Sequence, residues 1–301
     1  MPTFDTPDPI LVTLELGVGA LRIVASERTD TVVDVGPTDP AERSDVTAAA
    51  EARVEYAAGR LLIRAAKGWR QWTLRGGRES VDVRIGLPAG SELRGDAGIA
   101  GLHGTGRLGE CRFKTGIGEI RIERAGPVQL KTGGGDITVD RALSHAELTA
   151  GTGSIRVGSI DGTGVVKVSN GDTWIGEATG ELRVNAANGK IAVDRAGAGV
   201  TAKTANGDVH IGEVATGAIL AQTACGKVEI GIRDGVAAWL DLDTRCGNVD
   251  NGLEAAQGPE AGEDAVEVRA RSAFGDITVR RATDPPAAER PSGSGSLAQR
   301  S

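Results

Sequence analysis

Apolar and polar residues alternate with a period of two along most of the chain, and glycines interrupt the alternation at regular intervals. In residues 182–193, the alternating stretch LRVNAA is followed by Asn188-Gly189 and then by a second alternating stretch, IAV. A period of two predicts strands with one core face and one solvent face, whereas an amphipathic helix needs a period of 3.6. Asn-Gly supplies the positive φ values that a tight turn demands. Each unit is therefore predicted to be strand, turn and strand.

This unit recurs along the chain, with copies such as KTGGGDITV at 131, KVSNGDTWI at 167, NAANGKIAV at 185 and KTANGDVHI at 203. The glycine that sets the register of each copy falls at Gly118, Gly135, Gly153, Gly171, Gly189, Gly207, Gly226, Gly247 and Gly275. A unit of about eighteen residues is too short to bury its own apolar face, so the copies must stack on one another. The sequence thus predicts an all-β fold: a parallel, β-helix-like solenoid with irregular capping strands at its N-terminus.

Two inward columns follow each turn and are almost entirely aliphatic. The first column is Ile120, Ile137, Ile155, Thr173, Ile191, Val209 and Val228, and the second is Ile122, Val139, Val157, Ile175, Val193, Ile211 and Ile230. Equivalent residues of stacked copies lie about 4.8 Å apart, which is the ordinary spacing between paired strands. The repetition therefore stacks similar aliphatic side chains from equivalent positions of successive copies.

The chain divides into three regions by pattern. Residues 1–92 predict irregular β layers, with a short helix over 41–50 and a hairpin over 52–66, that cap the solenoid against edge-to-edge growth. Residues 93–281 carry the solenoid repeats, and residues 282–301 are rich in Pro, Ser and Gly, which predicts a disordered tail.

The KTANGDVHI-type repeats, preceded by a strand that ends in IGLPAG, resemble a bacterial β-strand-repeat family of unknown function whose members are named putative adhesins. The resemblance covers roughly residues 10–281. It implies a right-handed β-solenoid with no established activity. The family has no catalytic motif, so the resemblance assigns no role to any residue.

Composition narrows the classes of function. The formal net charge of −7 argues against nonspecific nucleic-acid binding, which requires basic surface. The N-terminus lacks a basic segment followed by an apolar one, and nowhere do eighteen apolar residues follow one another, so neither a signal peptide nor a membrane span is expected. Three cysteines without metal-ligand spacing fit a reducing compartment. We expect a cytoplasmic protein without a cofactor or metal, although a nonclassical export route stays open.

The column directly after the register glycine is the first place to look for catalysis, because some solenoid enzymes that cleave polysaccharides carry carboxylates on neighbouring rungs. It consists of Glu119, Asp136, Ser154, Asp172, Lys190, Asp208 and Lys227. Carboxylates about 5 Å apart support retaining glycoside hydrolysis. A facing column carries Lys114, Lys131, Lys167 and Lys203, and we expect these lysines to pair with the carboxylates across the turn. A solvated, salt-bridged face and no enzyme activity are the expectation.

Cys225 and Cys246 each directly precede a register glycine. If their repeats are adjacent rungs, the two thiols stack at one corner, where a disulfide is conceivable and two small side chains in a reducing cytoplasm are the preferred interpretation.

One segment, residues 67–80, concentrates aromatic and basic residues and holds two of the four tryptophans. Exposed aromatic and Arg residues are enriched at recognition surfaces. The candidate contact residues are Trp69, Arg70, Trp72 and Arg75. The alternative is an ordinary loop whose tryptophans cover the open end of the solenoid.

Three functions remain. The first is a noncatalytic, adhesin-like binding or scaffolding solenoid with an unknown protein or glycan partner, and it is the prediction we favour. The second is a self-assembling structural element similar to the bactofilins, which stack end to end, although cap-like flanks disfavour long filaments. The third is a polysaccharide-active enzyme, for which the sequence offers only the column of carboxylates described above.

Overall fold

The structure is a computed structural model that describes residues 1–65, 79–253 and 265–282. It confirms the all-β solenoid. Every strand in these ranges belongs to one continuous sheet that winds into stacked rungs. No helix in the described part of the chain has the length and apolar character needed to cross a membrane.

The N-terminal region forms the first layers of the stack. Its elements are β1 (Thr3–Asp5), β2 (Leu11–Ser26), β3 (Asp30–Pro37), α1 (Arg43–Glu51), β4 (Arg53–Ala57), β5 (Arg60–Ala65) and β6 (Val81–Pro88). Strand β2 pairs in parallel with β5 and β6 on one side, while β4 and β3 add antiparallel strands outside them. The predicted hairpin is confirmed: β4 and β5 join at Ala58-Gly59, where both residues have positive φ.

Regular rungs follow β7 (Glu92–Leu108), and each contributes one strand to each of two parallel ladders. The first ladder contains β8 (Cys111–Ile117), β10 (Val128–Gly134), β12 (Ala146–Thr152), β14 (Gly164–Asn170), β16 (Leu182–Asn188), β18 (Val200–Asn206) and β20 (Gly217–Cys225). The second contains β9 (Ile120–Ala125), β11 (Ile137–Ala142), β13 (Ile155–Ile160), β15 (Thr173–Ala178), β17 (Ile191–Ala196), β19 (Val209–Val214) and β21 (Val228–Ile232). The predicted register, in which equivalent residues of successive repeats pair, is confirmed in both ladders.

The last two rungs are stacked in the reverse of their chain order. The elements are β22 (Ala237–Cys246), β23 (Val249–Asn251), β24 (Ala265–Phe274) and β25 (Ile277–Arg281). Strand β24 pairs with β20 on one side and with β22 on the other, and β25 likewise lies between β21 and β23. The chain therefore passes over one rung position, forms the terminal rung, and returns to fill the gap.

Aliphatic side chains fill the interior along both ladders, as the columns predict. Ile155 and Ile191 are fully buried, and Thr173 lies between them in the same column. The Thr173 hydroxyl is buried without a hydrogen-bond partner. One polar atom thus interrupts an otherwise apolar column.

The corner of each rung requires glycine, because the backbone of the neighbouring rung passes too close to leave room for a Cβ atom. At Gly189, φ is +131°, and a Cβ atom there would lie 2.1 Å from the carbonyl oxygen of Gly171 one rung away. No L-residue fits this combination. The expectation that Asn also adopts positive φ is wrong, because among the non-glycine residues described only Ala58 does so. The asparagines instead extend their side chains outward, as shown below.

Candidate recognition surface

A column of lysines runs along the outer face of the first ladder. Lys114 and Lys131 are in register on consecutive rungs. From Lys131 onward the column continues with Thr149, Lys167, Asn185 and Lys203, so that a cation recurs at every second rung and a neutral hydrogen-bonding residue separates each pair. With about 4.8 Å between rungs, these lysines repeat at about 10 Å along the solenoid. We call this column and its flanks the lysine face.

The lysines of this face are unpaired, and the expected ion pairs across the turn are wrong. Among the described residues, no carboxylate lies within ion-pairing distance of Lys114, Lys131, Lys167 or Lys203; the ion pairs that do form use Arg or His. Glu119, for example, pairs with Arg121, the Nη2 to Oε1 distance being 3.0 Å. The lysine charges are therefore available to a ligand.

The aspartates of the post-glycine column have a structural role instead. Asp172 Oδ1 accepts a hydrogen bond from the backbone N–H of Lys190 one rung away, with an N to O distance of 2.8 Å. The same bond joins Asp136 to the N–H of Ser154 and Asp208 to the N–H of Lys227. Each aspartate thus satisfies a corner amide of the next rung. These hydrogen bonds give the three aspartates a structural role at the corners of the solenoid.

Small residues flank the lysine column toward the corner. The next outward position holds Gly133, Gly151, Ser169, Ala187 and Ala205 on the same rungs. At the corner itself, asparagines form a ladder: Asn188 Nδ2 donates to Asn170 Oδ1, and Asn206 Nδ2 donates to Asn188 Oδ1, each at 2.8 Å. A low floor of small side chains therefore lies between a row of ammonium groups and a row of amides.

The N-terminal part of the face contains an open depression of ≈ 590 Å³. Its charged and polar lining comes from Arg94, Asp96, Arg112, Lys114, Gln129, Lys131, Glu147, Thr149 and Lys167. Arg112 forms an ion pair with Glu110, and Gln129 Nε2 donates to Glu147 Oε2 at 3.0 Å. The arginine and the amide are thus engaged by neighbouring side chains, whereas the lysines are not.

The residues predicted to contact a partner, Trp69, Arg70, Trp72 and Arg75, lie outside the described residues. The two other tryptophans are described. Trp174 donates its indole N–H to Asp194 Oδ1 at 3.2 Å, and Trp239 is 71% exposed on the terminal rung.

The cysteine prediction requires a correction. Cys225 and Cys246 are not on adjacent rungs, because Phe274 of the returning strand β24 pairs with both of them. The two residues are separated by two rungs, or about 10 Å, which exceeds the Cα separation of a disulfide. Cys111 is fully buried, and burial raises the pKa of its thiol to about 12. All three thiols are free.

Metal ligands are not gathered anywhere in residues 1–65, 79–253 and 265–282, where no three His, Cys, Asp or Glu side chains are placed to hold a metal ion. His145 hydrogen-bonds to Thr163, and His210 Nδ1 lies 3.1 Å from Glu229 Oε2 on the next rung. Both histidines have partners from their own neighbourhood.

The lysine column is visible in the sequence, where its residues are predicted to form ion pairs with the carboxylates across the turn. The signal that identifies the face is the alternation of Lys with Thr and Asn from one repeat to the next.

The family model described as Toastrack DUF4097 matches residues 43–284. Among solved structures, a putative adhesin from Parabacteroides distasonis is 14% identical and has a TM-score of 0.38, with 92% of this chain and 95% of that chain covered. A putative adhesin from Bacteroides fragilis is also 14% identical, with a TM-score of 0.37 and coverage of 92% and 96%. These identities and TM-scores are too low to transfer a ligand. No curated protein matches the chain.

Proposed function

The chain belongs to the Toastrack DUF4097 family, which confirms the resemblance expected from its repeats, and from this premise we propose a noncatalytic binding solenoid that holds a linear acidic glycan along the lysine face. The observation that carries this proposal is the recurrence of an unpaired lysine at every second rung from Lys131 to Lys203. Adhesin-like binding, which the names of the structural neighbours suggest without specifying a ligand, is compatible with it.

The spacing of charge favours a glycan in which one unit of each disaccharide is anionic. Lys131, Lys167 and Lys203 recur at about 10 Å, and Thr149 and Asn185 place hydrogen-bonding groups midway between them. A chain that alternates a uronate with a neutral, hydroxyl-rich sugar has complementary groups in the same order. The Asn170–Asn188–Asn206 ladder offers further amide groups along the opposite side of the floor.

Nucleic acid fits this surface less well. The phosphates of one duplex strand follow each other at about 3.4 Å of axial rise, about three times more densely than the lysines. Single strands are held by aromatic side chains on which the bases stack. The floor of the lysine face consists of Gly, Ser and Ala instead.

The test is a binding titration with hyaluronan oligosaccharides, which carry one carboxylate in each disaccharide, and with uncharged dextran as the neutral comparison. The variant Lys167→Gln/Lys203→Gln removes two charges from the face. The matched control, Lys190→Gln/Lys227→Gln, removes two charges from nearby rungs in the post-glycine column. We expect about tenfold weaker binding for the first variant, because each exposed ion pair contributes up to about 1 kcal/mol, and near-normal binding for the second.

Two results would refute the proposal. One is wild-type protein that binds hyaluronan no better than dextran. The other is an equal loss of affinity in both variants, which would show that only the net charge of the protein matters.

The expected cytoplasmic location stays a prediction. Cell fractionation with an antibody against the protein tests it separately.

A further inference from the structure

The two ends of the solenoid differ in how their core is covered. At the N-terminal end, Phe4 of β1 and Tyr56 of β4 pack against each other with ring centroids 5.1 Å apart, and α1 lies beside β3, β5 and β6. This end is therefore closed.

At the C-terminal end, the terminal rung has a free edge. Strand β22 pairs only with β24, and β23 only with β25, among the strands the structure describes. The inward side chains of Leu240 and Leu242 are only partly buried although they pack against the core. Trp239 is 71% exposed and Val249 is 46% exposed. An unpaired backbone edge thus adjoins an incompletely covered apolar core.

The rest of this chain is a poor match for that edge. Residues 254–264 and 283–301 have no large apolar residue except Leu297, and their other apolar residues are Ala and Pro. Residues 66–78 connect β5 to β6, so that segment starts and finishes at the opposite end. Large apolar surface to cover Leu240 and Leu242 is available from the same edge of a second copy.

We propose that two copies of this chain associate through their β22 strands, in antiparallel pairing about a twofold axis. Identical strands satisfy each other's free N–H and C=O groups in that arrangement, and a twofold interface is self-complementary. Leu240 and Leu242 of each copy then cover the core end of the other. The product is a closed dimer, because α1 and the Phe4–Tyr56 pair cover the core at the N-terminal ends and leave no second open apolar face there.

The outward face of β22 carries Trp239, Asp241, Asp243 and Arg245. An antiparallel register centred on Leu242 sets the indole of Trp239 in one copy beside the guanidinium of Arg245 in the other, a favourable cation–π pair at each end. The same register sets Asp241 opposite Asp243 of the other copy, which is a like-charge contact. Arg271 of β24 already engages Asp241, the Oδ2 to Nη2 distance being 2.6 Å, and so offsets the charge of that carboxylate.

The experiment is sedimentation equilibrium of the intact chain under reducing conditions, combined with hydrogen exchange of the β22 amides at several protein concentrations. We expect a monomer–dimer equilibrium and slower exchange in β22 as the dimer forms. Trp239→Gln and Leu242→Lys should each weaken the dimer at least tenfold. Trp174→Gln, which alters an exposed tryptophan in the middle of the solenoid, is the matched control and should leave it unchanged.

A chain that stays monomeric overturns the proposal, and slow exchange in β22 at every concentration would show that a segment of the same chain covers the edge. Larger, open-ended assemblies would also contradict it, since they require a second adhesive end. Glycan binding is measured separately, so this result is independent of the lysine face.

Discussion

Asp276 Oδ1 accepts a hydrogen bond from the backbone N–H of Asn248, at an N to O distance of 2.9 Å, although Asn248 precedes it by 28 residues in the chain. The reversed order of the last two rungs creates this contact. In spatial order the post-glycine column reads Asp136, Ser154, Asp172, Lys190, Asp208, Lys227, Asp276 and Asn248. An aspartate therefore occurs at every second rung, up to the terminal one, and each bonds to the amide of the rung that follows.

The corner glycines should be intolerant of any side chain. Gly189→Ala places a Cβ atom 2.1 Å from the carbonyl oxygen of Gly171 at a φ of +131°, so we expect a loss of about 3 kcal/mol or more in the free energy of unfolding. Gly134→Ala is the control, because nothing lies within 4 Å of its added Cβ atom. Urea denaturation measures both, and equal stability of the two variants would refute the stacking of these corners.

The alternation of aspartates with other residues should stabilise the fold, because it keeps carboxylates of the post-glycine column off neighbouring rungs. Lys190→Asp puts carboxylates on three consecutive rungs with Asp172 and Asp208, about 4.8 Å apart. We expect destabilisation of about 1 kcal/mol at low salt that shrinks in 1 M salt, because the repulsion is exposed and screened. Lys190→Ser, which copies the residue at Ser154, is the control. A loss that is independent of salt would contradict this explanation.

The buried Thr173 hydroxyl predicts a stabilising substitution. Thr173→Val keeps the shape and removes an unpartnered polar atom, so the free energy of unfolding should rise by about 1 kcal/mol. Thr132→Val should do the opposite, because the single proton of the Thr132 hydroxyl is donated to, or shared between, the carbonyl oxygens of Gly118 and Gly134, which lie 3.1 and 3.0 Å from its oxygen. Thermal denaturation of both variants distinguishes them; a destabilised Thr173→Val would mean that the hydroxyl has a partner.

Glu123 predicts a contribution to stability that depends on pH. Its carboxylate accepts the backbone N–H of Gly106 at 2.8 Å, and this hydrogen bond, with the help of Arg124, lowers the pKa of Glu123 below its usual value. A lowered folded-state pKa gives stability that is present above the unfolded pKa and is lost as pH falls through the folded one. Glu123→Gln should therefore show a shallower loss of stability below about pH 4.5 than wild type does. Parallel curves would contradict the assignment.

Much of the fold follows from local pattern. The inward columns and the eighteen-residue spacing predict which strands pair, because stacking repeats the same contact at every rung. The exchange of the last two rungs does not follow, since the wider spacing before Gly247 and Gly275 is compatible with either order. Only the spatial order maintains the alternation of Asp276 with Lys227 and Asn248.

The sequence predicts the position of the lysine face but not the pairing of its charges. The residues and their column are visible in the repeats, but pairing depends on distances across a corner that periodicity does not define. The aspartates turn to backbone amides of the next rung, as Asp172 does toward Lys190, and so leave the lysines free. Likewise, Asn170, Asn188 and Asn206 suggest turn chemistry in the sequence, whereas their side chains form a ladder.

The most direct test of the central claim is the dependence of affinity on ligand length. Hyaluronan oligomers of increasing length should bind in steps, each added disaccharide reaching the next of Lys131, Lys167 and Lys203, with little gain once all three are occupied. The step that corresponds to Lys203 should vanish in Lys203→Gln. Affinity that does not change with length, or steps that persist in Lys203→Gln, would contradict a glycan that runs along the lysine face.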